Sequence, residues 1–323
     1  MNVENQPFFI VGSDRSGTTL LRLMLNQHPR LRVPRESWFM PKLMDNLPLD
    51  TPLDEEQVTL AFQLIASHSR WEDLETSNET LWEIFSTVEN PTLGALIDAL
   101  FRYYATSSNK SRWGDKTPSY VKEIERLHQV FPQAKFIHII RDGRDVYLSL
   151  RRKKWHGTTV EEIAEYWCEM VNAGIESGRA LGHPYYLEVA YEDLVLKSEE
   201  TLTQICAFLG EEYHERMLGF YKSAGTEISP LERQVKFHEK TKRPPQNSDV
   251  FRWRTEMNWI QLALFEERAG AVMEHVGQVR SVPGDSLTIP LAVNTAPATY
   301  WLRKWWGYCI PYSLMRKMGL GKA

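Results

Sequence analysis

Residues 7–27 read PFFIVGSDRSGTTLLRLMLNQ, and their order decides the fold class. Residues 7–12 form a short continuous apolar run that stops at a glycine, which reads as a strand buried on both faces. After a polar loop, residues 18–27 place Leu20, Leu21, Met24 and Leu25 along one helical stripe, and Pro29 bars continuation. The order strand, loop, helix then recurs. KFIHII at Lys135–Ile140 is a second β-rich run, followed by a loop entering a helix over residues 141–153. A third strand is expected at 185–191, between a long helix at 160–180 and a helix at Ser198–Leu209 that closes at Gly210. Helical periodicity also marks residues 55–67, 79–88, 93–105, 121–130 and 255–276, whereas 239–250, with Lys240, Lys242, Arg243 and the pair Pro244 and Pro245, reads as a loop. Short apolar strands alternating with helices predict an α/β fold in three layers: a central, mostly parallel sheet, helices on both faces, and ligands at the carboxyl ends of the strands.

The chain has 323 residues, 42% of them hydrophobic and 25% charged, and its mean hydropathy is −0.41. That is the composition of a chain that folds around a core. Its net charge of −4 argues against nucleic acid or an anionic membrane as the organising partner, so any anion site has to be local. Cys168, Cys206 and Cys309 show no CxxC spacing and the nine histidines no HExxH arrangement, so neither a disulfide framework nor a zinc site is expected. A reducing, cytoplasmic compartment fits. No run of about 18 apolar residues and no basic-then-apolar leader is present, so neither a membrane span nor a secretion signal is expected.

The loop at 12–19, GSDRSGTT, lies between strand and helix, where free N–H groups and the helix dipole favour an anion. Its spacing matches G-x-x-x-x-G-K-[ST] except that Thr18 stands in the lysine position, which weakens a nucleoside triphosphate reading. Arg15 lies inside the loop instead, and a guanidinium can grip a phosphate through paired hydrogen bonds.

GSDRSGTTLL resembles the phosphosulfate-binding loop of sulfotransferases that use 3′-phosphoadenosine 5′-phosphosulfate (PAPS). It is closer to the bacterial and tyrosylprotein branches, which carry arginine there, than to the cytosolic small-molecule branch. The resemblance implies a P-loop-type fold, with Arg15, Ser16, Gly17, Thr18 and Thr19 holding the 5′-phosphosulfate. Asp14 departs from the proline common at its position. A second stretch, RDGRDVYLS at residues 141–149, resembles the family's 3′-phosphate site, with Arg141 and Ser149 as its charge and hydroxyl. Where the tyrosylprotein branch has a further arginine, this chain has Lys153, with Arg152 beside it. Taken alone, RDGRD also reads as a turn whose charges pair with each other.

Other candidates come from the same resemblance. Glu36, in PRES at residues 34–37, is the candidate general base, since a hydroxyl acceptor is a poor nucleophile until its proton is taken. The alternative is a first-turn glutamate in a helix running through Trp38 and Met40. Lys116, in WGDKTP at residues 113–118, resembles the family's KTP segment. With Arg15 it would neutralise charge on the leaving oxygen; its alternative is a solvated turn lysine before Pro118. Tyr191, opening YEDL, either contacts the donor's base or packs. Lys242, Arg243, Arg252 and Arg254 are candidates to close over the 3′-phosphate, with Arg252 the one assigned to the donor. His138, inside an expected buried strand, reads as a core histidine. A sulfuryl group carries less charge than a transferring phosphoryl group, so no metal is expected.

The resemblance spans roughly residues 7–275 and implies in-line transfer of a sulfuryl group from PAPS to a hydroxyl acceptor of unidentified class. Residues 1–280 are read as the sulfotransferase domain. Residues 281–323 are read as a tail, because beyond Asp285 the chain carries five basic and no acidic residues among Tyr300, Trp301, Trp305, Trp306, Tyr308 and Tyr312. Such a tail suits a membrane surface or a partner groove, or an arm packed on its own body. The rival readings are a P-loop kinase using ATP and magnesium, and a non-catalytic nucleotide-binding interaction protein.

Overall fold

The computed structural model of the chain describes residues 6–153, 155–223 and 242–281. These fall into two compact units, one drawn from Met1–Ile140 with Ala173–Pro245 and one from Arg141–Asn172 with Gln246–Ala323.

The first unit holds the expected parallel sheet. Its strands are β1 (Phe8–Gly12), β2 (Leu31–Arg32), β3 (Arg112–Lys116), β4 (Lys135–Ile140) and β5 (Tyr186–Ala190), in the order β2-β3-β1-β4-β5 with every pairing parallel. Around it lie α1 (Thr18–Leu25), α2 (Met40–Asn46), α3 (Glu55–Ala66), α4 (Asn78–Ser86), α5 (Leu93–Thr106) and α6 (Ile124–Val130). Because the chain leaves β1 to build β2 and β3 on one side and β4 and β5 on the other, the order reverses at β1. In an open α/β sheet the crevice for ligands opens at such a reversal, at the strands' carboxyl ends. The β1–α1 loop stands there, and Lys116 ends the neighbouring β3, paired with Ile10.

An aromatic cluster fills the core beside β1. Phe9 stacks on Phe136 at 5.3 Å between ring centroids and meets Trp113 edge-on at 6.0 Å, and Trp113 lies 4.6 Å from Phe101. Strands β2 and β3 were not expected from the sequence, because RWGDK lacks an apolar run. The strand is nevertheless fully buried, and its two cations, Arg112 and Lys116, are bonded there. Arg112 donates to the carbonyls of Gln6 at 2.6 Å and Leu209 at 2.7 Å and to the Glu211 carboxylate at 3.2 Å.

Next along the chain come α7 (Gly143–Leu150) and α8 (Val160–Leu181), then β5 and two helices of the first unit, α9 (Tyr191–Leu196) and α10 (Ser198–Leu209). The second unit contains α7, the start of α8, α11 (Trp253–Glu256) and α12 (Trp259–His275). Gly143 opens α7 where a side chain has no room, since a Cβ there would lie 2.7 Å from both Trp167 and Phe265. The single helix expected at 255–276 is two helices. Asn258 accepts from the Gln261 N–H at 2.9 Å while the Gln261 side chain returns to the Asn258 N–H, a capping box that starts α12 afresh. Among the described residues no helix is long and apolar enough to cross a membrane.

Candidate active site

In the first unit, the β1–α1 loop is shaped by backbone conformations that few residues accept. Gly17, the residue before α1, has φ 97° and offers no side chain to cap the helix, so the first-turn N–H groups of α1 are left to an incoming anion. A Cβ at Gly17 would lie 2.2 Å from the ring of Tyr191. Tyr191 thus packs its ring on the loop from the start of α9. Arg15 also takes the left-handed region, with φ 69°. The Ser13 and Ser16 hydroxyls bond across the loop at 2.5 Å, and both residues are buried.

Three of the sequence candidates meet beside this loop. Lys116, only 3% exposed, donates to Glu36 Oε1 at 2.6 Å and reaches Thr19 Oγ1 at 3.4 Å. It ends a buried strand, which corrects the turn-lysine alternative; Pro118 opens a 3-10 turn just after. Glu36 lies between β2 and α2, and because α2 starts at Met40 the first-turn alternative is also corrected. Its second oxygen, Oε2, accepts from the indole of Trp38 at 2.7 Å. Burial pushes the Glu36 carboxyl upward, but the Lys116 charge and the hydrogen bonds from Lys116 and Trp38 overcome it, leaving the pKa below the usual glutamate value.

Behind the pair sits a buried polar layer that the sequence reading missed. The Ser37 N–H donates to Thr117 Oγ1 at 3.1 Å, the Ser37 and Tyr120 hydroxyls bond at 2.8 Å, and the Met40 N–H donates to Tyr120 Oη at 3.2 Å. Asp115 is fully buried in this layer. Neither of its oxygens has a partner in good hydrogen-bond geometry, although the hydroxyls of Ser37 and Thr117 are near enough to pull its pKa down. Desolvation dominates and raises the Asp115 pKa to about 7. Trp38 left no signal beyond its place two residues after Glu36.

His138 is a core residue, as read from the sequence. It is fully buried on β4, its Nδ1 bonds the Tyr186 hydroxyl at 2.7 Å, and desolvation lowers its pKa to about 3, so the ring stays neutral.

The second unit carries the RDGRD stretch. Arg141 is buried and donates through Nη2 to Asp145 Oδ2 at 3.3 Å and to the Asp249 carbonyl at 3.2 Å. Asp145 in turn accepts from the Trp253 N–H at 2.9 Å, which ties α7 to the first residue of α11. Arg144 is pinned more heavily. It takes both oxygens of Asp142 at 2.9 and 2.7 Å, donates to Glu266 at 2.8 Å, and lies 3.6 Å over the Trp253 ring. The motif's charges therefore do pair with each other, as the turn reading had it, but across the start of a helix. Ser149 sits half-buried in the last turn of α7, and Lys153 is half-buried and Arg152 exposed beyond it. Arg252 donates to both oxygens of Glu256 at 2.8 and 2.9 Å. Lys242 and Arg254 are exposed, with Arg254 4.6 Å from the Phe251 ring centroid. Lys240 and the tail aromatics lie outside the described residues.

Comparison with known proteins places this arrangement. Residues 7–215 match the model of the sulfotransferase family. Protein-tyrosine sulfotransferase A of Caenorhabditis elegans is 26% identical over 253 residues, covering 76% of this chain and 61% of that protein. Nodulation protein NoeE of Sinorhizobium fredii is 26% identical over 287 residues, covering 81% of this chain and 63% of its own. The chain thus spans about six tenths of the length of these two relatives. Among solved structures, the sulfotransferase domain from the curacin biosynthetic pathway superposes with a TM-score of 0.61 at 19% identity, covering 85% of this chain and 98% of that domain. The fold is the same.

Proposed function

We propose, from the premise that this chain belongs to the sulfotransferase family, that it moves a sulfuryl group from PAPS to a hydroxyl acceptor. The observation that carries this reading is the three-way contact of Glu36, Lys116 and Thr19 beside an uncapped helix start. Arg15 and the backbone at Ser16, Gly17, Thr18 and Thr19 take the 5′-phosphosulfate. Lys116 supplies from β3 an amine that Thr18 cannot supply from the loop. Arg141 and Ser149 take the 3′-phosphate and Arg252 adds to that end, by their places in the family's pattern. Tyr191 backs the loop.

The reaction forms a bond between the acceptor oxygen and sulfur and breaks the bond from sulfur to the bridging oxygen of the 5′-phosphate. Glu36 takes the acceptor's proton. Its low pKa keeps it ionised but weakly basic, because Lys116 holds one of its oxygens. As negative charge builds on the bridging oxygen, Lys116 turns its donors there, and loss of that contact makes Glu36 a stronger base when it is needed. Residues 1–280 carry the transfer, and 281–323 form a basic, aromatic tail that either meets a membrane surface or partner or packs on its own body. A reducing, cytoplasmic setting is part of this reading.

Calorimetry with 3′-phosphoadenosine 5′-phosphate and with ATP and magnesium tests the donor. The expected result is metal-independent binding of the first and at least tenfold weaker binding of the second; the reverse order overturns the reading in favour of a kinase.

A further inference from the structure

Trp38 is 41% exposed, a large apolar ring left in solvent. It is also one of the few described non-glycine residues with positive φ, at 59°, a region that bulky side chains rarely adopt. The surrounding fold holds it there: Phe39, next in the chain, is fully buried against Phe101 and His68, and Ser37 is bonded into the Tyr120 layer. The indole N–H points at Glu36 Oε2 at 2.7 Å. A hydrogen bond from an indole runs close to the ring plane, so the carboxylate sits at the rim of the exposed ring. A flat group laid on that face would carry a hydroxyl on its own edge over the carboxylate.

Resting on the sulfotransferase reading, we propose that Trp38 is the acceptor platform: its indole face takes an acceptor whose hydroxyl is borne on a ring with an apolar face, and its N–H aims Glu36 at that hydroxyl. The two roles separate by substitution. Trp38→Phe keeps a ring and loses the N–H, whereas Trp38→Leu loses both, so the difference between the variants isolates stacking. Stacking of this kind is worth about tenfold.

The kinetic test uses PAPS with 4-methylphenol, methyl β-D-glucopyranoside and 1-butanol as probe acceptors. The expected result is a KM for the ring probes about tenfold higher in Trp38→Leu than in Trp38→Phe, no such difference for 1-butanol, and a kcat lowered alike in both variants. A ratio near one for every probe overturns the platform. Ring selectivity confined to the phenol assigns an aromatic acceptor, and selectivity confined to the pyranoside a sugar; either supports the proposal. A second measurement needs no turnover. With 3′-phosphoadenosine 5′-phosphate bound, saturation-transfer NMR should show contact of 4-methylphenol or the pyranoside with the wild type and its loss in Trp38→Leu. Nucleotide binding without any ring contact in the wild type sinks the platform alone, whereas absence of nucleotide binding sinks the donor reading beneath it.

Discussion

The two units each carry arginines or lysines against carboxylates, and they use them differently. In the first, Lys116 has one carboxylate, Glu36, and one hydroxyl, Thr19, in a site whose carboxylate is partly open to solvent. In the second, Arg144 is held by two buried carboxylates and covered by an indole. A charge with one exchangeable partner can be redirected when a ligand arrives, whereas a charge bonded on every side fixes the structure around it. Arg144 is thus a framework residue inside a motif named for binding, and substitution separates the two kinds. Arg144→Met leaves Asp142 and Glu266 buried without their cation, which costs about 3–5 kcal/mol. Denaturant unfolding should show that loss, with nucleotide affinity of the folded protein changed less than twofold. A variant as stable as the wild type would show that the second cluster is no more rigid than the first.

The exchangeable charge gives the opposite signature. Lys116→Ala should keep most of the stability and lose about 10²–10³-fold in kcat, the usual cost of removing one donor from a developing oxyanion. It should also move the acid limb of the rate profile. Lys116 is the main influence holding the Glu36 carboxyl down, and without it burial remains and drives the pKa up. Because the base must be ionised, the limb shifts to higher pH. An unmoved limb would detach Glu36 from Lys116 in the working enzyme. Arg141 lies between these extremes, with the Asp145 carboxylate and the Asp249 carbonyl among its partners. Arg141→Ala should weaken 3′-phosphoadenosine 5′-phosphate about 10–100-fold and adenosine 5′-phosphosulfate, which lacks the 3′-phosphate, hardly at all. Equal losses for both nucleotides would deny Arg141 that phosphate.

The sequence made the first unit's frame legible because β1, the loop and α1 follow local rules: an apolar run, glycine punctuation and a helical stripe. KFIHII was legible for the same reason. RWGDK was not, because a strand can be polar when distant groups satisfy it, and Gln6, Leu209 and Glu211 lie far from Arg112 in sequence. Trp38 ran with a helical pattern until its left-handed backbone delayed α2 to Met40. The roles of Arg141 and Arg144 could not be divided from RDGRD itself, since each has aspartates within four residues. Glu266, 122 positions from Arg144, decides the matter.

Asp115 supplies the finest distinction between the units, because it is a buried carboxyl with no cation bonded to it, unlike Asp142. Its pKa in the folded chain, about 7, stands above the value near 4 of an unfolded aspartate. Between these two values the folded state binds more protons than the unfolded one, so stability must fall as pH rises across that window. Asp115→Asn keeps the size and removes the proton. Its stability relative to the wild type should therefore climb by up to about 1 kcal/mol per pH unit from about pH 4 to pH 7 and level off above. Thermal or denaturant unfolding of both proteins across that range reads the slope directly. Parallel curves would mean that the hydroxyls of Ser37 and Thr117 already solvate the ionised carboxylate, and that the polar layer under Glu36 and Lys116 is as fully bonded as the arginine cluster of the second unit.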